Sequence, residues 1–309
     1  MRAIPSVWQI SCSAWWQGLD MALQLVHITD KGATRPSNQD SFCARISNFG
    51  RETIAMLAVC DGVGGLQSGE LASTGAVRCF EEWFEQQLPE IVQSGLTADV
   101  VFFSWHRMLE TLHTALCSYS GKTGIQLGTT VSALLLTRDA LYQVQVGDSR
   151  IYLDDGLGLV QLSKDQTLAM REVEAGRLSP EALTTDRRSS ILLQCLGYGK
   201  MEPVFQCTKR PMQGAVLLCS DGLCHYTTWK ELHGLLMETD SREELQQRLQ
   251  AAVESCRRCG ETDNITALAL KWNDLSSLPS GTDDWIEVWA RLSGEAAPIE
   301  YNQKLGRIL

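Results

Sequence analysis

The chain has 309 residues, of which 44% are hydrophobic and 21% are charged, a composition that supports a substantial buried core. Its 37 acidic and 27 basic residues leave a net charge of -10, which argues against nucleic acid as a partner because phosphate contacts need a basic face. No apolar run approaches the roughly 20 residues of a membrane-spanning helix, and the eleven irregularly spaced cysteines are typical of reduced thiols in a cytoplasmic protein.

Short apolar or alternating segments predict strands, and segments with apolar residues at helical spacing predict helices. In chain order we predict strands 23–29, 41–46 and 54–60, helices 70–87 and 100–119, strands 129–137, 141–146, 151–153, 159–162, 204–208 and 215–219, helices 229–237 and 242–256, and strand 265–271. The polar segment from about 166 to 195 is predicted to be an inserted flap. Strand runs mixed with paired helices, without regular βα alternation, favour an α+β fold in which helices cover two antiparallel sheets.

The ends of the chain differ from its centre. Residues 1–22 lack the apolar core and cleavage site of a signal peptide and are interpreted as an N-terminal extension to a single domain over 23–271. The remaining residues, 272–309, begin with a polar linker and contain a short amphipathic segment from Trp285 to Leu292, predicted to be a helix. This tail is expected to pack on the domain or to bind a partner.

Four aspartates lie in turn-like settings far apart in the chain: Asp40, Asp61, Asp221 and Asp263. Asp61 and Asp221 each follow an apolar strand and precede a glycine, although an Asp-Gly pair taken singly is more often just a turn. If the fold gathers the four carboxylates, each unpaired buried charge costs several kcal/mol. Hard divalent cations with oxygen ligands relieve that cost, so the pattern favours Mg²⁺ or Mn²⁺ over Zn²⁺.

Arg35 lies five residues before Asp40. A guanidinium next to a carboxylate-metal site can bind a phosphate group through two parallel hydrogen bonds. The alternative interpretation is a surface salt bridge, which would be preferred if Arg35 stood alone.

Seven short motifs along the chain carry a resemblance to a known family. They are Arg35-Pro36-Ser37-Asn38-Gln39-Asp40, Asp61-Gly62-Val63-Gly64-Gly65, Gly128-Thr129-Thr130, Val146-Gly147-Asp148-Ser149-Arg150, Ser163-Lys164-Asp165-Gln166-Thr167, Ser220-Asp221-Gly222-Leu223 and Asp263-Asn264-Ile265-Thr266. In this order they resemble the metal-dependent protein phosphatases, the type 2C serine/threonine phosphatases, in their bacterial form. The resemblance covers about residues 23–271.

The resemblance implies a four-layer α-β-β-α sandwich with two central antiparallel sheets and a centre of two or three Mg²⁺ or Mn²⁺ ions. It assigns the catalytic roles to Arg35, which would hold the substrate phosphate, and to Asp61, which would bridge two ions. The further ligands that it implies are Asp221 and Asp263 for one ion, the Gly62 carbonyl and Asp40 for the other, and Asp148 for a third.

Gln39 and His225 are two of the positions that depart from the family pattern. Gln39 stands where many relatives carry Glu, which removes one negative charge near the second ion. His225 lies four residues after Asp221, where relatives often place another Asp, and could either ligate an ion or be a hydrogen-bonded loop histidine.

The function expected from this resemblance is hydrolysis of phosphoserine and phosphothreonine in proteins by a metal-activated water. Expected partners are a phosphorylated protein substrate and a serine/threonine kinase pathway that the enzyme opposes, in a monomeric cytoplasmic protein with no nucleic-acid or membrane partner. One alternative is a catalytically weak or silent module that binds phosphoproteins. Another is a phosphatase for small phosphate esters.

Overall fold

The computed structural model describes residues 23–49, 52–63, 66, 68–273 and 290–291. Its strands are β1 Leu23–Asp30, β2 Ser41–Phe49, β3 Glu52–Cys60, β4 Val131–Leu136, β5 Ala140–Val146, β6 Arg150–Asp154, β7 Leu159–Gln161, β8 Val204–Lys209, β9 Gly214–Cys219, β10 Ile265–Trp272 and β11 Ala290–Arg291. They form one sheet in the order β1-β10-β9-β6-β7 and a second in the order β11-β2-β3-β4-β5-β8. All the strand pairs are antiparallel.

The α-helices are α1 Gly69–Glu82, α2 Leu88–Ser94, α3 Ala98–Thr123, α4 Leu168–Glu174, α5 Asp221–Cys224, α6 Trp229–Met237 and α7 Arg242–Arg258. A π-helical turn, Trp83–Gln87, joins α1 to α2, and 3₁₀ turns lie at Pro180–Thr184 and Arg187–Ser190. The predicted helix over 70–87 therefore changes its hydrogen-bond register at Trp83. There the indole N–H donates to the hydroxyl of Ser104 on α3 (2.9 Å).

Local signals explain where the long helices begin and end. The Thr97 hydroxyl accepts a hydrogen bond from the Val100 N–H at the start of α3, and Gly124 ends this helix with a φ of +73°. Helix α6 begins with a capping box, in which the side chains of Thr228 and Glu231 each accept a hydrogen bond from the other residue's N–H.

Buried apolar side chains form three core clusters, which lie between the four layers of helices and sheets. The layer between the sheets contains Leu25, Phe42, Leu57, Leu134, Leu218 and Leu268. On the outer face of the second sheet α1 and α3 pack together, with the rings of Phe80 and Trp105 5.6 Å apart, and on the outer face of the first sheet α6 and α7 bury Leu232 and Leu249. The predicted α+β sandwich of four layers is therefore confirmed.

Antiparallel register brings the loops that carry the predicted site residues to one edge of the sandwich. The start of β2 pairs with the end of β3, Ser41 opposite Cys60, and the start of β6 pairs with the end of β9, Arg150 opposite Cys219. The start of β10 likewise lies opposite the end of β1. Loops distant in sequence therefore meet where these strands begin and end.

The C-terminal tail departs from its prediction. Ala290 and Arg291 are extended and pair with Ala44 and Cys43 of β2, so a helix is the wrong prediction for these two residues. The physical reason is that β2 has an open edge there, whose backbone groups pair with an extended segment. The rest of the Trp285–Leu292 segment and the extension 1–22 lie outside the described residues, and the proposed domain limits stay predictions.

No helix among the described residues has both the length and the apolar content needed to cross a membrane.

Candidate metal centre

Asp61 follows β3 and is held there through its backbone. Its N–H donates to the Thr130 hydroxyl (2.9 Å), while its carbonyl accepts from the Thr130 N–H (2.8 Å) and from the Thr129 hydroxyl (2.8 Å). The Gly-Thr-Thr motif at the start of β4 thus fixes the end of β3. The carboxylate of Asp61 is half-buried and takes no part in these backbone bonds.

Gly62 lies where two backbones approach closely. Its N–H donates to the Gln39 carbonyl (3.2 Å), and a Cβ atom at this position would lie 2.6 Å from that oxygen and 2.5 Å from the carbonyl carbon of Gly69. Only glycine fits such a contact. The start of α1 therefore packs directly on the residue predicted to offer its carbonyl to an ion.

Asp40 immediately precedes β2 and is 1% exposed. Its Oδ2 accepts a hydrogen bond from the Ser220 hydroxyl (2.9 Å), whereas its Oδ1 has no hydrogen-bond partner among the described residues. The neighbouring Gln39 side chain points elsewhere, since its Nε2 donates to Glu70 Oε2 on α1 (2.9 Å). Asp40 therefore offers one free buried oxygen.

Asp221 begins the short helix α5 directly after β9, and its Oδ1 is also buried without a partner among the described residues. His225 lies one turn later, with Nε2 3.6 Å from Asp221 Oδ2 and Nδ1 2.7 Å from Glu261 Oε2. The hydrogen bond to Glu261 raises the pKa of His225 to about 9, so the imidazole is protonated at neutral pH. His225 is therefore hydrogen-bonded through Nδ1, and its second expected role, as a ligand of an ion, stays a prediction.

Asp263 and Arg35 are paired with each other. The guanidinium donates from its Nη2 to Asp263 Oδ2 (2.5 Å), and about a third of each side chain is exposed. This hydrogen bond raises the pKa of Arg35 above its ordinary value, with smaller contributions from the charges of Asp61 and Asp221. The predicted phosphate-binding arginine therefore lies against a predicted ligand, and its role in binding phosphate stays a prediction.

Asp148 lies in the turn between β5 and β6 and is 8% exposed. Gly147, with a φ of +94°, forms this turn, and its N–H donates to Gln166 Oε1 (2.6 Å). Beside it, Arg150 binds both oxygens of Asp165 through its Nε (3.0 Å to each). Arg150 pairs with Cys219, so Asp148, the predicted ligand of a third ion, lies at the same edge of the sandwich as Asp221.

Electrostatics shows that these carboxylates are close neighbours. Burial raises the pKa of Asp61 well above its ordinary value, and the charges of Asp40, Asp221, Asp148 and Asp263 raise it further. Burial likewise raises the pKa of Asp40 to about 7 and raises those of Asp148 and Asp221. Five carboxylates from separate loops therefore repel one another at one edge of the sandwich.

The donor set fits hard divalent cations. Within the described residues no group of three or more His, Cys, Asp or Glu side chains is arranged so that it could hold a metal ion, and one of the candidate ligands, Asp263, is held by Arg35. Asp40 Oδ1 and Asp221 Oδ1, which are buried and have no hydrogen-bond partner among the described residues, are oxygens of the kind that Mg²⁺ and Mn²⁺ bind.

A cavity of about 530 Å³ opens beside the carboxylates. Its lining includes Asp148, Asp221 and Asp263, together with residues 183–187, 189 and 190 of the predicted flap. Arg35, Asp40 and Asp61 are not part of its lining. The predicted flap therefore shares a cavity with Asp148, Asp221 and Asp263.

Sequence reasoning missed two residues that organise the site. Glu261 is 6% exposed, and its Oε1 accepts from the N–H groups of Thr262 (2.7 Å) and Asp263 (2.8 Å) while Oε2 holds His225. Glu70 holds Gln39. The signal for Glu261 was its position two residues before Asp263, whereas nothing local distinguished Glu70 from other acidic residues of a helix.

Comparison with known proteins gives the following similarities. The family model described as "Protein phosphatase 2C" matches residues 33–254. The "Serine/threonine phosphatase stp" of Listeria welshimeri is 28% identical over 249 residues, which are 79% of this chain and 94% of that protein. The "Serine/threonine protein phosphatase PstP" of Mycobacterium tuberculosis is 25% identical over 302 residues, and the chain spans 54% of its length.

Among solved structures, the chain is similar to the catalytic domain of the serine threonine protein phosphatase PstP "in complex with 2 Manganese ions". The TM-score is 0.65 and the identity 25%, and the match covers 82% of this chain and 99% of that one. The similarity thus extends over most of the sandwich that carries the strand-end carboxylates.

Proposed function

Because the chain belongs to the protein phosphatase 2C family, we propose that its strand-end carboxylates form the catalytic centre of a protein serine/threonine phosphatase. The enzyme is a metal-dependent phosphoprotein phosphatase of the bacterial type, and it uses Mg²⁺ or Mn²⁺. We place the catalytic centre at the group of carboxylates that repel one another. Two of these carboxylates have a buried oxygen without a hydrogen-bond partner among the described residues.

The proposed ligands follow from the loops. Asp61 would lie between two ions, Asp221 and Asp263 would hold one of them, and Asp40 with the Gly62 carbonyl would serve the other. Asp148, on the flap side, would hold a third ion. When bound, the cations activate a water for attack on phosphorus and offset the negative charge on the departing alkoxide.

The residues of the chain prepare this centre in two ways. The backbone bonds of Asp61 and the close contact at Gly62 hold the end of β3 rigidly, which keeps ligands near their working positions. Glu261 orders the loop before β10 by accepting the Asp263 N–H, and its bond to His225 ties that loop to α5. Both sets of contacts limit how far the ligand-bearing loops need to move when ions bind.

Arg35 is proposed to bind the substrate phosphate. Its guanidinium already lies at the carboxylate edge, and a phosphate with two charged oxygens is a better bidentate partner than the single Asp263 oxygen that it now holds. Binding of substrate would then release Asp263 from the guanidinium. Arg35 and an ion would therefore compete for Asp263 until phosphate arrives.

The wider setting is also part of the proposal. An open site beside a flap suits a phosphorylated protein chain, and the name of the Listeria relative supports phosphoserine and phosphothreonine as substrates. We expect the enzyme to oppose a serine/threonine kinase in bacterial signalling, as a monomer in the cytoplasm. The free thiols of the described cysteines fit a reducing compartment. No observation favours a silent binding module.

Hydrolysis of a phosphothreonine peptide tests the proposal. Activity should require Mn²⁺ or Mg²⁺, should be abolished by a chelator, and should be lost in Asp61→Asn and Asp221→Asn. The matched control is Asp139→Asn, since Asp139 is exposed in the hairpin between β4 and β5, at the opposite end of these strands. Activity without metal, or full activity in both site variants, would overturn the proposal.

Kinetics of Arg35→Ala tests the phosphate-binding role. We expect KM for the phosphopeptide to rise by about 10-fold to 100-fold, since a charge-assisted bidentate pair contributes about 1.5–3 kcal/mol. Mn²⁺ affinity, measured by calorimetry without substrate, should not weaken, because the variant frees Asp263. An unchanged KM together with weaker Mn²⁺ binding would assign Arg35 to holding Asp263 instead.

A further inference from the structure

Two cysteines lie on either side of Asp221 with their sulfur atoms in contact. Cys219 is the last residue of β9 and Cys224 the last residue of α5, and the two Sγ atoms are 3.4 Å apart. Both are free thiols. Neither belongs to the proposed ligand set.

The two thiols differ in access to solvent. Cys219 is completely buried, whereas Cys224 is half-buried and lines the cavity beside the carboxylates. The Tyr152 hydroxyl lies 3.5 Å from the Cys224 sulfur, so this thiol has a polar neighbour. A small oxidant in the cavity would therefore meet Cys224 first and leave Cys219 as the second, shielded thiol.

The distance between the sulfurs permits a covalent bond. A disulfide S–S bond is about 2 Å long, so the two atoms need to approach by only about 1.4 Å. Cys224 is the last residue of a helix of only four residues and precedes the exposed His225, so little regular structure opposes this approach.

We propose that Cys219 and Cys224 form a dithiol modification site that hydrogen peroxide oxidises to a disulfide. The Cys224 sulfur attacks one peroxide oxygen, the O–O bond breaks, and Cys224 becomes a sulfenic acid while one water leaves. The Cys219 sulfur then attacks the sulfenic sulfur, the S–O bond breaks, and a second water leaves. The two thiols lose two electrons, hydrogen peroxide gains them, and the thiol protons end in the two waters.

The disulfide would act on the carboxylates through the residues that it encloses. Ser220 and Asp221 lie between the two cysteines, and the Ser220 hydroxyl binds Asp40 Oδ2 (2.9 Å) and accepts from the Thr266 N–H (2.9 Å). Drawing Cys224 toward β9 therefore shifts the turn that carries Asp221. This consequence rests on the proposed function, whereas formation of the disulfide does not.

Mass spectrometry of the full chain tests the modification directly. Trypsin leaves both cysteines, and no other, in residues 210–230, because Pro211 follows Arg210. After hydrogen peroxide and then N-ethylmaleimide, this peptide should be about 2 Da lighter and carry no maleimide. After dithiothreitol it should carry two. The peptide with the exposed Cys207 shows that the oxidant acted.

Two results would overturn the modification site. One is a 210–230 peptide that carries two maleimides when Cys207 is already oxidised. The other is an over-oxidised Cys224 beside a Cys219 that still reacts with maleimide. The variants Cys224→Ser and Cys219→Ser should each fail to give the 2 Da loss, and Cys207→Ser is the matched control that should keep it.

Activity is the second measurement. Peroxide should lower phosphopeptide hydrolysis by the wild-type enzyme at least about tenfold, dithiothreitol should restore it, and Cys224→Ser should show no reversible loss. A disulfide without loss of activity would overturn the effect on Asp221 and support the modification site. If the chain hydrolysed no phosphopeptide at all, the peptide mass would still decide whether the disulfide forms.

Discussion

At Asp61, burial and the charges of four neighbouring carboxylates all raise the pKa of one side chain. Asp61→Asn removes a repelling charge and keeps the shape of the side chain. We expect kcat/KM to fall by more than about a hundredfold. In chelator we expect Tm to rise, by about 2–4 °C for each 1 kcal/mol of repulsion relieved. Phosphopeptide kinetics and thermal melting check the two effects, and a lower Tm in chelator would contradict the electrostatic account.

Glu261 is a positioning residue, since it accepts two backbone N–H groups and holds His225. Glu261→Gln keeps one oxygen acceptor but loses the charge-assisted bond to His225. We expect the free energy of unfolding to fall by about 1–3 kcal/mol and Mn²⁺ affinity to fall about tenfold. Denaturant unfolding and calorimetry measure these changes.

The matched control for Glu261→Gln is Glu254→Gln, because Glu254 is exposed on α7. It should change neither quantity measurably. Equal effects in both variants would show that Glu261 does not order the loop before β10.

At the scale of elements, the contact between the end of β3 and the start of α1 depends on Gly62. A Cβ atom there would lie 2.5 Å from the carbonyl carbon of Gly69, and backbone cannot move aside as a flexible side chain can. Gly62→Ala should therefore lower the free energy of unfolding by about 1–3 kcal/mol. It should also reduce activity, because the strained contact displaces the turn after Asp61.

Gly121→Ala serves as the control for Gly62→Ala. Gly121 lies within α3 with no atom near its Cβ position, so alanine should stabilise the protein by about 0.5–1 kcal/mol through helix propensity. Urea unfolding of the two variants measures both changes. If Gly62→Ala and Gly121→Ala destabilised the protein equally, the close contact between Gly62 and Gly69 would not be the cause.

At the scale of the whole molecule, the carboxylates make stability depend on pH and on metal. The pKa of Asp40 is about 7 in the folded protein, above the roughly 3.9 of an unfolded Asp, so the folded state holds more protons between these values. The stability contributed by protonated Asp40 is complete below about pH 4 and is lost as the pH rises through about 7. The pKa of His225 is also raised, to about 9, so the stability contributed by protonated His225 is lost as the pH rises through about 9.

Thermal melting from pH 5 to pH 8 checks this dependence. In chelator Tm should fall as the pH rises, and Mn²⁺ should raise Tm most at pH 8, because cations bind the ionised carboxylates. Asp40→Asn should make the fall in chelator shallower. A Tm that rises from pH 5 to pH 8 in chelator, or that does not respond to Mn²⁺, would contradict the account.

Much of the fold could be predicted from the sequence because its signals are local. Alternating apolar residues located β2 and β10 to within a few residues at their ends, and the lack of βα alternation indicated two antiparallel sheets. The prediction failed at Ala290 and Arg291, where pairing with β2 decides the conformation. It also missed the π-helical turn at Trp83, whose indole binds Ser104 on another helix.

By itself the sequence determined the family, the class of enzyme and the identity of the candidate carboxylates, because motif order and strand patterns are properties of the chain. Only the tertiary structure decided which group each side chain holds. Arg35 binds Asp263, 228 positions away, and Ser220 binds Asp40, 180 positions away. The physical reason is that antiparallel register brings the loops between strands to one edge, and no local pattern encodes the distances between atoms of separate loops.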